Sequence, residues 1–213
     1  TLKLSDSKAI AQLVQEYEAI AVPVNSKYQT LEQLINDLKN NPKAVTFIGG
    51  AAGGVDHIFM AKIFNSMNVD PNQANYSPQN SGFDVITKSL TDKSYVALST
   101  SGDFVAQVTA GKMRILGVAS PEKLAWSKAK TLQQQGVNVV YGNWYGIFVP
   151  PQYSDAETSN FIHLLDVLHN SRIWLKTLAD NYWSEGYVGQ KDFVAQIEQQ
   201  TAENRAILQQ LGF

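Results

Sequence analysis

Short apolar runs of β type alternate with runs of helical spacing between about residues 20 and 150. Strand-like runs lie at residues 44–48, 95–98 and 113–119, whereas residues 31–38 and 55–67 repeat apolar side chains at the spacing of a helix. Strands that alternate with helices form parallel or mixed sheets with helices packed on their faces. The alternation therefore predicts an α/β lobe with a parallel or mixed sheet.

The two ends of the chain show a different pattern. Residues 5–19 are predicted as helix or mixed structure, and a strand is predicted over residues 20–24. Another strand is predicted over residues 144–149, after which the pattern is helical almost to the end, apart from one short strand near Tyr187. Helices need apolar surface to cover, so these helices are expected to pack on a second sheet built mainly from chain outside this sequence.

Composition excludes several classes of function. The chain of 213 residues has a net charge of −2, no cluster of Lys and Arg, and no cysteine. Nucleic-acid binding and direct membrane insertion are therefore not expected, since the first needs a basic surface and the second about 20 consecutive apolar residues. The absence of cysteine excludes disulfides and thiolate nucleophiles. No cofactor or metal site is predicted, because no carboxylate pair or metal-ligand cluster stands out.

A glycine-rich loop at residues 49–54 joins a predicted strand to a predicted helix. The first turn of a helix has unpaired N–H groups and a partial positive charge, so it favours an anion, and Gly and Ala side chains allow a close approach. The loop lacks GK[ST] after it and has no initial GxG, so neither nucleotide signature is present. Anion binding and a tight turn that merely permits packing both remain open at this point.

Two further loops follow predicted strands and precede predicted helices, at residues 80–82 and 99–102. With the loop at residues 49–54 they make three tips that contain small or hydroxyl-bearing residues and no Arg or Lys. An anion held there would be bound by neutral dipoles. The predicted ligand-binding residues in the three tips are Gly50, Ala51, Ala52, Gly53, Gly54, Asn80, Ser81, Ser99, Thr100 and Ser101.

Four segments resemble the solute-binding proteins of tripartite tricarboxylate transporters, the Bug-type family. FIGGAAGGVDH at residues 47–57 is similar to the family's strand–SSGxGSxxH–helix segment, and YSPQNSGFD at residues 76–84 to its YxPYxGGxE turn. AGKMRILGVAS at residues 110–120 is similar to AGKLRxLAVTS, the most specific match, and GNWYGIFVPP at residues 142–151 resembles NWRGVFAPP. This chain departs from the family in having glycines where the loop often has serines, and Ser99 where many members have an acidic residue.

The resemblance implies a periplasmic binding protein fold of type II, with two lobes joined by crossover strands at residues 20–24 and 145–149. Residues 25–143 would form a complete second, ligand-binding α/β lobe. Residues 1–24 and 144–213 would form the crossover strands and the mostly helical, C-terminal part of the first lobe. The N-terminal third of the family has no counterpart in this sequence, so the chain is expected to be a fragment.

The resemblance further implies a periplasmic, non-enzymatic protein that captures a small organic anion, of di- or tricarboxylate type, and delivers it to membrane transporter subunits. Trp144, which borders the return strand, becomes a further candidate for the wall of the ligand cleft. The alternative is an α/β enzyme that holds a phosphate or carboxylate substrate on the loop at residues 49–54. His57 is predicted to cap or pack rather than to act as a catalytic base, and Asp56 to be a favourable first-turn charge.

Overall fold

The structure, a computed structural model, describes residues 4–213, apart from the side chain of Ser5. The described residues form seven strands and seven α-helices. The strands are β1 (Lys8–Pro23), β2 (Thr46–Gly49), β3 (Asn75–Pro78), β4 (Tyr95–Thr100), β5 (Met113–Val118), β6 (Gly142–Val149) and β7 (Ser184–Val188). The helices are α1 (Leu31–Asn40), α2 (Val55–Ser66), α3 (Gly82–Thr91), α4 (Val105–Thr109), α5 (Asp155–His169), α6 (Arg172–Asp180) and α7 (Gln190–Gln210).

The chain divides into two compact units. The larger unit comprises Tyr17–Asn143 and Asn204–Phe213, and the smaller one comprises residues 4–16 and Trp144–Glu203. Strands β1 and β6 and helix α7 contribute residues to both units. The predicted lobe limits at residues 25 and 143, with the remainder assigned to a first lobe, stay a prediction, and residues 1–3 of that remainder lie outside the described residues.

The prediction of helix or mixed structure over residues 5–19 is wrong, because residues 8–23 form the single long strand β1. Two stretches of this strand, residues 9–14 and 18–23, are buried at every position. A strand that is covered on both faces has no polar–apolar alternation, so its sequence lacks the period that identifies a half-exposed strand. The predicted strand at residues 20–24 is the end of this longer element.

The larger unit contains a five-stranded sheet in the order β3-β2-β4-β1-β5. Strand β2 is parallel to both β3 and β4, whereas β1 is antiparallel to β4 and β5. Alternate residues of each strand point to opposite faces, so Phe47 and Ile48 enter two different hydrophobic clusters. The sheet is therefore covered on both faces, as the alternation of strands and helices predicted.

Local sequence signals mark the ends of several helices. The Thr30 hydroxyl accepts a hydrogen bond from the Gln33 amide and begins α1, which ends two residues before Pro42. Gly111 follows α4 with a φ of +68°. These ends depend only on residues near in sequence, which is why the sequence identifies them.

In the smaller unit, the first half of β1 pairs with β6 and with β7. Its core contains Ile10 and Val14 of β1 together with Leu165 of α5 and Leu178 of α6. The short strand predicted near Tyr187 is confirmed as β7. Within the described residues, none of the helices combines the length and the apolar character that a membrane span requires.

Candidate ligand site

The three tips lie next to one another at one edge of the sheet in the larger unit. Strands β3, β2 and β4 are adjacent and parallel, so the loops after their carboxyl ends emerge on the same side. The Gln79 amide donates to the Gly49 carbonyl oxygen at 2.8 Å, which joins the second tip to the first. A Cβ atom at Gly82 would lie 3.3 Å from the Ser99 hydroxyl oxygen, so the second and third tips are also in contact.

The amides of the first tip are largely engaged within the chain. The Gly50 N–H donates to Asp56 Oδ2 at 2.6 Å, and the Gly53 N–H donates to His57 Nδ1 at 3.0 Å. The Gly54 N–H donates to the Ala51 carbonyl oxygen at 2.9 Å. Three of the predicted amide donors therefore already have acceptors, two of which are side chains of the first turn of α2.

The His57 side chain accepts a hydrogen bond from the first tip and packs against Tyr76. Its ring stacks on Tyr76 with centroids 4.2 Å apart, and burial lowers the pKa of the imidazole. An imidazole nitrogen that accepts a hydrogen bond carries no proton, so the His57 ring is neutral in this contact. The prediction that His57 caps and packs is confirmed by these contacts.

A cluster of carboxyl groups lies under the tips. Burial is the largest effect on Asp56 and raises its pKa to about 6. The nearby charge of Asp103 raises this pKa further, whereas the Gly50 amide and the Glu18 side chain lower it. Glu18 is completely buried and lies opposite Thr100 in the β1–β4 pairing. Asp56, Asp103 and Glu18 therefore form one group of interacting carboxyl groups close to the tips.

Other tip residues differ in how far they remain available to a ligand. Ala51, Ala52 and Asn80 are exposed, and within the described part of the chain no acceptor pairs with the amides of the two alanines. Thr100 is half-buried, and its side chain makes no capping bond.

The three serines of the tips are committed or covered. The Ser81 hydroxyl caps α3 by accepting from the Asp84 amide at 3.2 Å. The Ser99 hydroxyl donates to Asp103 at 2.5 Å, and Ser101 is buried. None of the three therefore presents a free, exposed hydroxyl in this conformation.

Trp144 belongs to the smaller unit, whereas the three tips belong to the larger one. Its indole N–H donates to Gln200 Oε1 at 2.7 Å, and its ring meets Phe193 edge-on with centroids 5.0 Å apart. Both partners lie on α7. Trp144 thus packs against the long C-terminal helix of its own unit, and its place in a ligand cleft stays a prediction.

Sequence analysis missed Glu18, Tyr76 and Asp103 as neighbours of the tips. Glu18 lies in the stretch predicted as helix or mixed structure, so nothing placed it opposite Thr100. Tyr76, on β3, donates its hydroxyl to the Gly50 carbonyl oxygen of the first tip at 2.8 Å, although the two residues are 26 positions apart in the sequence. The signal that could have found Glu18 is a single charged residue between the apolar residues Tyr17 and Ala19.

Among the described residues, no group of three or more His, Cys, Asp and Glu side chains is arranged to hold a metal ion. The polar groups of the site are backbone amides, hydroxyls and one side-chain amide, at the carboxyl edge of an α/β sheet. Together, this fold and this site define an α/β solute-binding class of protein.

The chain belongs to the tripartite tricarboxylate transporter family receptors, because the model of that family matches residues 2–213. Members of this family are periplasmic solute-binding receptors, not enzymes. The family resemblance drawn from the four sequence segments is thereby confirmed. Curated protein sequences give no match to the chain.

Solved structures of this type share the fold at low sequence identity. A TctC solute-binding protein from Polaromonas, without ligand, has a TM-score of 0.79 and 18% identity over 99% of this chain and 72% of its own. An R. palustris protein with adipate has a TM-score of 0.81 and 14% identity over 97% of this chain and 69% of its own. MatC from Rhodopseudomonas palustris with bound malate has a TM-score of 0.66 and 12% identity over 97% and 67%.

Proposed function

We propose that this protein captures a small organic carboxylate at the three tips. The family match over residues 2–213 is the observation that carries the proposal. Two proteins of similar fold contain adipate and malate, which are both dicarboxylates. In the present chain, the same class of ligand suits a site that offers N–H and O–H donors.

The hydrogen bond between Gly50 and Asp56 in the first tip supports carboxylate binding. The Asp56 carboxylate accepts the Gly50 N–H at 2.6 Å, so a carboxylate oxygen already occupies one position in this loop. The donors that remain in the three tips are the exposed amides of Ala51 and Ala52, the exposed side chain of Asn80 and the half-buried hydroxyl of Thr100. We assign the ligand to these four donors, and Gly53 and Gly54 then shape the loop.

The charge around the tips limits which carboxylates bind well. Asp56, Asp103 and Glu18 surround the site, and no Lys or Arg belongs to a tip. A ligand carboxylate in this setting is held by amide and hydroxyl dipoles, and like charges nearby weaken its binding. Binding should therefore be measured near pH 6, where about half of the Asp56 side chains carry a proton.

The proposed role extends to transport. The protein would bind its carboxylate in the periplasm and deliver it to the membrane subunits of a tripartite tricarboxylate-type transporter. This part rests on the family match. Uptake of labelled adipate into proteoliposomes that contain such membrane subunits should depend on addition of this protein to the substrate side.

Replacing Thr100 with valine tests the site. A hydrogen bond to a charged group contributes about 1.5–3 kcal/mol, so Thr100→Val should weaken binding of adipate or malate roughly tenfold or more. Isothermal calorimetry at pH 6 measures the affinity, with dimethyl adipate as the uncharged comparison ligand. Dimethyl adipate should bind far more weakly, because its oxygens carry no negative charge.

Thr87→Val is the matched control, since Thr87 is an exposed threonine in the middle of α3. It should leave the affinity unchanged within about twofold, as expected for a surface substitution away from the site. Equal affinities in the two variants would show that Thr100 does not contact the ligand. Failure of every small di- and tricarboxylate to bind the unaltered protein would count against the proposed function itself.

A further inference from the structure

A second concave site lies in the larger unit, apart from the three tips. It is a half-open cavity of about 610 Å³, formed by α4, the start of β5 and the segment at residues 126–129. Its walls include Val105 and Val108 of α4, together with Met113 and Ile115 of β5. Small-molecule pockets commonly have about 300–1,000 Å³ and mostly apolar walls, so the size and lining match that class.

The direction of the strands places this cavity at the opposite end of the sheet from the tips. Strand β1 is antiparallel to both β4 and β5, with Glu18 opposite Thr100 and Pro23 opposite Met113. Glu18 marks the tip end of β1, and Pro23 lies five residues further along. A strand advances about 3.3 Å per residue, so roughly 16 Å separates the two levels. The cavity is thus not part of the site already described.

The charged groups of the cavity are all of one sign. Arg114 and Lys128 belong to the lining, and none of the described residues that line the cavity is Asp or Glu. Within the described residues neither cation forms an ion pair, and Arg114 makes one hydrogen bond, from Nη1 to the Val24 carbonyl oxygen at 3.4 Å. A cation without an acidic partner beside an apolar wall is a place where a carboxylate head group gains an ion pair.

An aromatic side chain adds a further preference. Trp126 contributes to the lining and packs against the hydrophobic cluster that includes Phe104 and Leu124. Its ring offers a rigid apolar surface that stacks well with another aromatic ring. Val108, with 38% of its surface exposed, also belongs to the lining, so the cavity offers an accessible aliphatic side chain as well.

We propose that this cavity binds a small amphipathic carboxylate, with its apolar or aromatic part between Val108 and Trp126 and its carboxylate at Arg114 and Lys128. The walls exclude water from the apolar part, and the two cations fix the orientation of the charged end. The protein would then hold two acids at once, one at the tips and one here. This inference uses different residues from the proposed function and does not depend on it.

The test uses 4-phenylbutyrate and its uncharged analogue 4-phenylbutanol, which have the same carbon skeleton. Calorimetry gives the affinities, and ¹H–¹⁵N correlation spectra of labelled protein locate the binding. We expect 4-phenylbutyrate to bind at least tenfold more tightly than the alcohol. The largest shifts should belong to the amides of Met113 and Arg114 and to the Trp126 indole N–H.

Two variants separate the charge from the apolar wall. Arg114→Gln combined with Lys128→Gln should reduce the affinity for the acid at least tenfold and leave that for the alcohol within twofold. Val108→Asp, on an exposed face of α4, should abolish binding of both. Lys123→Gln, an exposed lysine outside the lining, is the matched control and should change neither affinity.

Three results would overturn the inference. The first is equal affinity for the acid and the alcohol, and the second is a shift pattern centred on the tips or elsewhere. The third is absence of detectable binding at 10 mM ligand. Dicarboxylate binding at the tips is measured with other ligands and other variants, so failure here leaves the proposed function standing.

Discussion

Asp56 links the first tip to the carboxyl cluster beneath it. Its carboxylate accepts the Gly50 N–H, and it interacts with the completely buried carboxyl group of Glu18. The sequence suggested a favourable first-turn charge, and the position of Asp56 in the first turn of α2 agrees with that. Its burial makes the ionised form costly, however, and this is the larger effect on its pKa.

Asp56 should make the protein less stable as the pH rises. Its pKa is raised from 3.8 to about 6 in the folded state, so below pH 4 it is protonated whether folded or unfolded. Between about pH 4 and 6 the unfolded chain ionises first, and the free energy of unfolding falls. At about 1.36 kcal/mol per pKa unit, the fall reaches roughly 3 kcal/mol and is complete above the folded pKa.

Asp56→Asn removes this titration and should flatten the pH profile. Denaturant unfolding at several pH values from 4 to 8 measures the difference in free energy between variant and unaltered protein. That difference should grow in favour of the variant as the pH rises. Asp155→Asn, at an exposed position in the first turn of α5, is the control and should show no such growth. A constant offset for Asp56→Asn would rule out the assignment.

At the scale of the element, strand β6 needs glycine at residue 146, where it packs against α7. Gly146 faces Phe193 of α7, and a Cβ atom there would lie 2.8 Å from Phe193 Cε1 and 3.1 Å from the Ala11 carbonyl oxygen. Phe193 is completely buried, so it has little room to move. The approach of the strand to the helix therefore requires glycine at this position.

Gly146→Ala should destabilise the smaller unit by about 1–3 kcal/mol, the usual effect of overpacking a core. Equilibrium unfolding in urea gives the value, and hydrogen exchange shows whether β6 and the part of α7 around Phe193 lose protection. Gly189→Ala serves as the control, because a Cβ atom at Gly189 would meet none of the described residues within 4 Å. Equal stability of the two variants would mean that Phe193 adjusts freely.

At the scale of the whole molecule, the last ten residues belong to the larger unit although α7 begins in the smaller one. Ile207 packs with Ile58 and Ala61 of α2, and the Gln210 side chain exchanges hydrogen bonds with Asn65. Helix α2 also begins at the first tip. The end of α7 therefore supports the helix that positions the candidate site.

Ile207→Asp should weaken that support. Placing a charge against Ile58 and Ala61 is expected to destabilise the larger unit by at least about 2 kcal/mol. Amide hydrogen exchange should accelerate in α2 and leave β7 and α6 unchanged. Gln209→Ala, at an exposed position of the same helix turn, should leave exchange in all these elements as it was. Faster exchange in α6 rather than α2 would contradict the assignment of Ile207 to the larger unit.

The sequence by itself determined the local features. Thr30, Pro42 and Gly111 mark helix ends through contacts within a few residues, and the alternation of strands and helices indicated the α/β sheet of the larger unit. The four segments of family type identified the receptor family, which the family model confirms. The ligand-binding role of the tip residues stays a prediction, as do the lobe limits.

Only the tertiary structure decided what depends on contacts between distant residues. Strand β1 is buried on both faces by elements far along the chain, so its own sequence does not have the period of a strand. The acceptors of the Gly50 and Gly53 amides depend on how α2 leaves the loop, and Glu18 reaches Asp56 through the pairing of β1 with β4. Hydrogen bonding and burial of this kind are properties of the packed chain, because no local pattern encodes which distant group becomes a neighbour.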